Sequence, residues 1–231
     1  MRYEQHCPIA LAAEVVGEPW TLLIVRELLH GSTLLSDVAA GVPGMSTGLL
    51  SKRLRTLETA GVVALHPPNR PQRVELTEAG RELAAVVEPL GSWGARWLPP
   101  PRHNDLDPAL LLRDISREID RSTLPDKAMS VHFRFTESPG PRWWWLVLSR
   151  DLVAPTIHDP RLPQAMRIDC TLGALAQVWL GHTDWLEALR DKAIVITGPR
   201  SAVREAITWL GTNRFSGSRN ATDADAPILS S

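Results

Sequence analysis

The side chains best suited to chemistry lie between Ser46 and Arg73. At a period of 3.6 residues Leu50, Leu54 and Leu57 share one stripe, the spacing of a buried helix face. Gly48, Ser51, Lys52 and Arg55 then fall on the opposite side. Guanidinium and ammonium groups suit phosphates or guanine edges, hydroxyls donate to phosphates or bases, and a glycine permits close approach. The expected contact set for double-stranded DNA is therefore Ser46, Thr47, Gly48, Ser51, Lys52, Arg53 and Arg55. Ser36 upstream, and Asn69, Arg70, Gln72 and Arg73 in a proline-rich tip, extend it. From Gly48 to Arg73 five lysines and arginines face one acid, Glu58. For Lys52 or Arg53 alone a solvated helix face explains as much, so the argument rests on the elements that present them.

Other chemistries find little footing. No nucleophile–base pair and no glycine-rich phosphate loop occurs, so neither catalysis nor a cofactor is expected. His132, His158 and His182 are too dispersed for a metal, and the two cysteines, Cys7 and Cys170, form no zinc pattern. Net charge is −1 over 231 residues, so any basic patch must be local. The N-terminus lacks the features of a signal peptide, and no apolar run reaches the length of a bilayer span. A cytoplasmic location without a membrane partner is the expectation.

The elements around the basic face fall in a definite order. Pro8 to Val16 reads as an amphipathic helix ending at Gly17. Pro19 fits the first position of a second helix carrying Trp20, Leu23, Ile24 and Leu28 up to Gly31. Ser36 reads as the cap of a short third helix, Asp37 to Ala40. Ser46 caps the fourth, Thr47 to Ala60, closed by Gly61. Strands at Val62–His66 and Arg73–Leu76 flank the tip, and Thr77 caps a long helix to about Trp97 with a kink at Pro89. Helix, turn, helix and β-wing is the arrangement in which the second helix enters the major groove.

The motifs Cys7-Pro8-Ile9-Ala10, Trp20 to Ile24, Arg26-Glu27-Leu28, Ser36-Asp37, Pro43 to Ser46, Leu50 to Leu54, Leu57-Glu58, Gly61 to Val63 and Leu76 to Gly80 resemble the HxlR-type family of winged-helix regulators. The resemblance spans roughly Cys7 to Trp97. It implies a homodimeric transcriptional regulator with one recognition helix per half-site, joined through its first and last helices, here Pro8 to Val16 and Thr77 to Trp97. Pro19 stands where the family has a basic residue, Leu35 where it often has an aromatic, and the return strand is shorter, which implies a short wing. The family also contains thiol sensors with a cysteine at the position of Cys7, where a helix N-terminus lowers a thiol pKa. A small half-buried residue is the plainer reading of that cysteine.

Leu98 to Asp105, with three consecutive prolines, reads as a linker (99–106) between a DNA-binding domain (1–98) and a second domain (107–211), and 212–231 reads as a disordered tail. Six of the nine tryptophans lie in the second domain. Its expected course is a helix after Pro108, an alternating strand from Met129 to Thr136, a strand Trp143–Leu148 buried on both faces, a short strand Met166–Cys170, two helices, a strand Ala193–Thr197 and a final helix. That order is α+β. The run from Asp169 to Leu210 resembles the end of a sterol-carrier-protein-2-type domain, which implies an apolar tunnel for a lipid-like ligand. Phe133, Trp143, Trp145, Trp179 and Trp185 are the candidate lining for a small apolar ligand; simple core filling is the alternative for each. Such a module either binds an effector or supports the dimer. A lipid carrier whose first domain no longer touches DNA is the competing function.

Overall fold

A computed structural model describes residues 3–66, 72–137 and 140–218. The chain forms two compact units that meet between Gly91 and Ser92.

The first unit begins with α1 (Pro8–Val16), α2 (Thr21–Leu29), α3 (Leu35–Gly41) and α4 (Thr47–Thr59). Two short strands, β1 (Val63–Leu65) and β2 (Val74–Leu76), pair antiparallel and lead to α5 (Glu78–Glu82) and α6 (Ala84–Trp97). Pro8 starts α1 at a position that needs no backbone donor. The second helix starts later than expected, at Thr21, because Trp20 takes a left-handed φ of 75° at its N-cap. That conformation is unusual for a bulky side chain. The indole packs against Gly44, where an added Cβ would come within 2.9 Å of the ring.

Ser36 does not cap α3. The helix starts at Leu35 because the residues before it pair with the wing: Leu34 bridges Arg73, and Val74 N–H donates to the Thr33 carbonyl at 2.8 Å. Ser46 does cap α4, accepting from Leu49 N–H at 3.3 Å. Thr77 accepts from Gly80 N–H at 3.1 Å while its hydroxyl donates to the Gly61 carbonyl at 2.6 Å, which ties the wing to α5. The expected single helix to Trp97 is broken at Leu83, not at Pro89. Leu83 N–H reaches back only three residues, to Gly80, and Pro89 lies within α6. The core joins Ile24, Val25 and Leu28 of α2 with Val38, the α4 stripe Leu50, Leu54 and Leu57, and Val63 and Val74 of the wing.

The second unit contains α7 (Pro108–Glu118), β3 (Met129–Phe135), β4 (Trp143–Leu148), β5 (Val153–Thr156), β6 (Gln164–Cys170), α8 (Leu172–Trp179), α9 (Trp185–Arg190), β7 (Ile194–Thr197) and α10 (Ala202–Leu210). The sheet order is β5-β4-β3-β6-β7, with β3 and β6 parallel and the other pairs antiparallel. One face carries Val131, Phe133, Phe135, Trp144, Leu146, Leu148, Met166 and Ile168, and the four helices bury it. Burial along β4 alternates, so the strand expected to be buried on both faces is buried on one, through Trp144, Leu146 and Leu148. Residues 212–218, expected in the tail, are held: Asn213 N–H donates to the Trp179 carbonyl at 2.7 Å, and Arg214 pairs with Glu118 at 2.6 Å. The rest of that stretch lies outside the described residues. No single helix among the described residues is long and apolar enough to cross a bilayer.

Candidate nucleic-acid interface

The residues of α4 divide as their spacing requires. Leu50, Leu54 and Leu57 are buried at 3% exposure or less, and Ser46, Thr47, Gly48, Ser51, Lys52 and Arg55 are exposed. Gly48 has no atom within 4 Å of where a Cβ would stand, so the helix surface there is open to close approach. Ser51 donates its hydroxyl to the Thr47 carbonyl at 3.0 Å, which leaves its oxygen lone pairs outward. Thr56, on the same exposed side, is missing from the sequence-derived set; its hydroxyl donates to the Lys52 carbonyl at 3.2 Å. Glu58, the lone acid of this stretch, accepts from Leu65 N–H at 3.3 Å and so is directed toward the wing backbone.

Arg53 departs from expectation. Its side chain is only 12% exposed, with Nη2 2.6 Å from the Glu18 carboxylate and Nε donating to the Pro19 carbonyl at 3.2 Å. It fastens α4 to the α1–α2 turn. Nothing in the spacing around Arg53 discloses a partner 35 residues upstream. Ser36 is exposed within α3, and Gln72 and Arg73 are exposed at the wing. Asn69 and Arg70 lie outside the described residues.

The five candidate ligand residues do not converge. Phe133, Trp179 and Trp185 are buried in the core of the second unit, where Trp185 Nε1–H donates to the Gly211 carbonyl at 2.8 Å. Trp143 and Trp145 lie on the opposite sheet face, since they pair with Arg134 and His132 while Trp144 pairs with Phe133. His132 stacks on Trp145 at 4.7 Å and 9° and approaches Trp143 at 4.9 Å. Burial among these rings lowers its pKa, the Gln164 hydrogen bond working against that shift.

The two thiols differ sharply. Cys7 is exposed at the N-cap of α1, without a side-chain cap hydrogen bond. Cys170 is buried, and desolvation followed by the neighbouring Asp169 charge pushes its pKa up to about 12. Under native conditions iodoacetamide should therefore modify one thiol per chain. Peptide mass spectrometry should place the label on Cys7, with Cys170 reacting only after denaturation. Equal labelling of both thiols would contradict this assignment.

Comparison with known proteins bears on the first unit. Residues 15–102 match the HxlR-like helix-turn-helix family. The chain is similar to the HTH-type transcriptional regulator YvaP of Bacillus subtilis (strain 168), with 36% identity over 104 residues, 43% of this chain and 96% of the relative. It is also similar to the HTH-type transcriptional regulator Rv3095 of Mycobacterium tuberculosis (strain H37Rv), with 37% identity over 133 residues, 51% of this chain and 84% of the relative. Among solved structures, the reduced form of the transcriptional regulator YodB from B. subtilis covers 42% of this chain and 100% of its own, at 28% identity and a TM-score of 0.36.

Proposed function

The chain belongs to the HxlR-like helix-turn-helix family of transcriptional regulators, and from that premise we propose that it works as a homodimer that lays two copies of α4 on the two half-sites of an operator. The observation that carries this reading is the two-sidedness of α4: a leucine stripe in the core, and Gly48, Ser51, Lys52 and Arg55 exposed on the other side. Helices placed in the major groove contact base edges and phosphates with such groups.

Exposed apolar surface supports the dimer. Val86, Leu90, Trp93 and Trp97 recur at helical spacing along α6 and are each 47–53% exposed. Ile9 and Leu11 of α1 are 79% and 53% exposed. Exposed large apolar side chains in this number mark an association surface. Sedimentation should give twice the chain mass for the wild type, and Leu90→Glu should give single chains, because a carboxylate would have to be desolvated in the interface. A wild type that sediments as a monomer at ten-micromolar concentration would sink the dimer. On DNA, a duplex with two half-sites should bind far more tightly than one with a single half-site; equal affinities would rule out paired recognition helices.

For the second unit we read a module of sterol-carrier-protein-2 type. The succession of a helix, three antiparallel strands, a crossing to a parallel strand, two helices, a strand and a helix supports it. An apolar ligand held there would shift the DNA-binding equilibrium, and the two affinities would then be linked reciprocally. Mass spectrometry of small molecules retained through purification tests that reading.

A further inference from the structure

The parallel pair β3 and β6 is where the sheet changes direction. From the end of β3 the chain turns back into β4 on one side, and from the end of β6 it passes through α8 and α9 to β7 on the other. In open sheets a ligand crevice forms outside the carboxyl ends of strands at such a switch point. A cleft of about 340 Å³ lies there, lined among others by Arg134, Thr136, Asp169, Thr171 and Lys192.

Its charge favours an anion. Asp169 takes Nε of Arg134 on one oxygen, at 2.5 Å, and Nε of Arg167 on the other, at 2.8 Å. One carboxylate thus orients two guanidinium groups by their inner nitrogens. The side chains are 44% and 41% exposed, and among the described residues their terminal nitrogens make no hydrogen bond. Lys192, exposed at the rim, adds a third cation. Of the residues lining the cleft, Arg134 and Lys192 are cations and Asp169 is the acid, a surplus of one positive charge. A surplus this small suits a single carboxylate better than a nucleic-acid backbone, which requires a continuous basic track.

The neighbouring surface is aromatic. The Arg134 guanidinium carbon is 5.9 Å from the centre of the Trp143 ring. Trp143 is 43% exposed, and the His132–Trp145 stack behind it fixes its position. An exposed indole beside an arginine offers a flat apolar surface and a planar hydrogen-bonding fork to one ligand. We propose that this cleft binds a small planar aromatic carboxylate, its ring on Trp143 and its carboxylate between Arg134 and Lys192. Asp169 is a positioning residue there.

The site does not depend on the DNA-binding reading, and its test uses no DNA. Calorimetric titration of the full chain with 2-naphthoate should show one site per chain. The neutral 2-naphthamide, of the same shape, should bind about tenfold more weakly or worse, having no charge to pair. Arg134→Gln and Trp143→Ala should each weaken 2-naphthoate about tenfold. Both side chains point out of the core, so circular dichroism should be unchanged. Arg150→Gln, at an exposed arginine paired with Asp126, should bind as the wild type does. The proposal is overturned by equal binding of acid and amide, by binding that survives both substitutions, or by no heat at millimolar 2-naphthoate.

Discussion

Glu27→Ala should cost the first unit about 3 kcal/mol, the lower end of the loss seen when one partner of a buried ion pair is removed. Glu27 is 0% exposed. Its Oε1 accepts from Arg26 Nη2 at 2.9 Å, and the same nitrogen reaches the Gly41 carbonyl at 3.2 Å. The three residues join α2 to the end of α3, so the pair fixes the crossing of the two helices that carry α4. The space is made by Gly41, where a Cβ would stand 1.9 Å from the carboxylate. Alanine at 27 leaves a void and a guanidinium without its counter-ion, whose Nε is already buried without an acceptor among the described residues. Arg26 is 30% exposed, so water recovers part of the loss. Because the two units need not unfold together, the appropriate readout is amide hydrogen exchange by mass spectrometry. Peptides from α2 and α4 should exchange about a hundredfold faster, tenfold for each 1.4 kcal/mol, while those from β3 and β6 stay as in the wild type. Unchanged α2 exchange would show the pair to be dispensable. Gly41→Ala should act in the same direction.

Lys52→Ala combined with Arg55→Ala should weaken operator binding at least about a hundredfold at 0.15 M salt, given about 1–3 kcal/mol for an arginine on a base edge and further loss for a phosphate contact, taken over two half-sites. Both side chains are exposed, so folding should be untouched. Arg53→Ala supplies the contrast. It sits between these two in the sequence, yet it is fastened to Glu18 and Pro19. Its loss should loosen α4 against the α1–α2 turn without changing how binding responds to salt. A sequence-only view groups the three cations together; the structure separates them.

How far the fold can be read from the residues depends on the range of the interactions involved. The leucine stripe of α4, the Ser46 and Thr77 caps, and the alternation of Met129 to Phe135 are local signals, and each produced its element. Capping by Ser36 fails because Thr33 and Leu34 pair with Val74 and Arg73, and local propensity carries no trace of partners so far along the chain. The strand β5 escapes notice because Pro155 lies within it, which is tolerable only because β5 is at the sheet edge. In β4 the period of two puts Trp143 and Trp145 on one face and Trp144 on the other, and the register against β3 adds that Trp144 is the one that faces inward. The same register divides the candidate ligand residues between two faces. The exposed face of α4 was legible because it depends on one helix alone.

The most direct test of the central claim, that α4 presents a phosphate-reading face to duplex DNA, is a salt titration of binding to the duplex upstream of the chain's own gene. Fluorescence anisotropy should give a straight, steeply falling line of log affinity against log salt, with a slope of about −0.9 for each phosphate neutralised. Removing Lys52 and Arg55 from both copies of a dimer should make that slope shallower by up to about 3.6. A wild-type slope near zero, or coincident lines for wild type and double variant, would contradict the account.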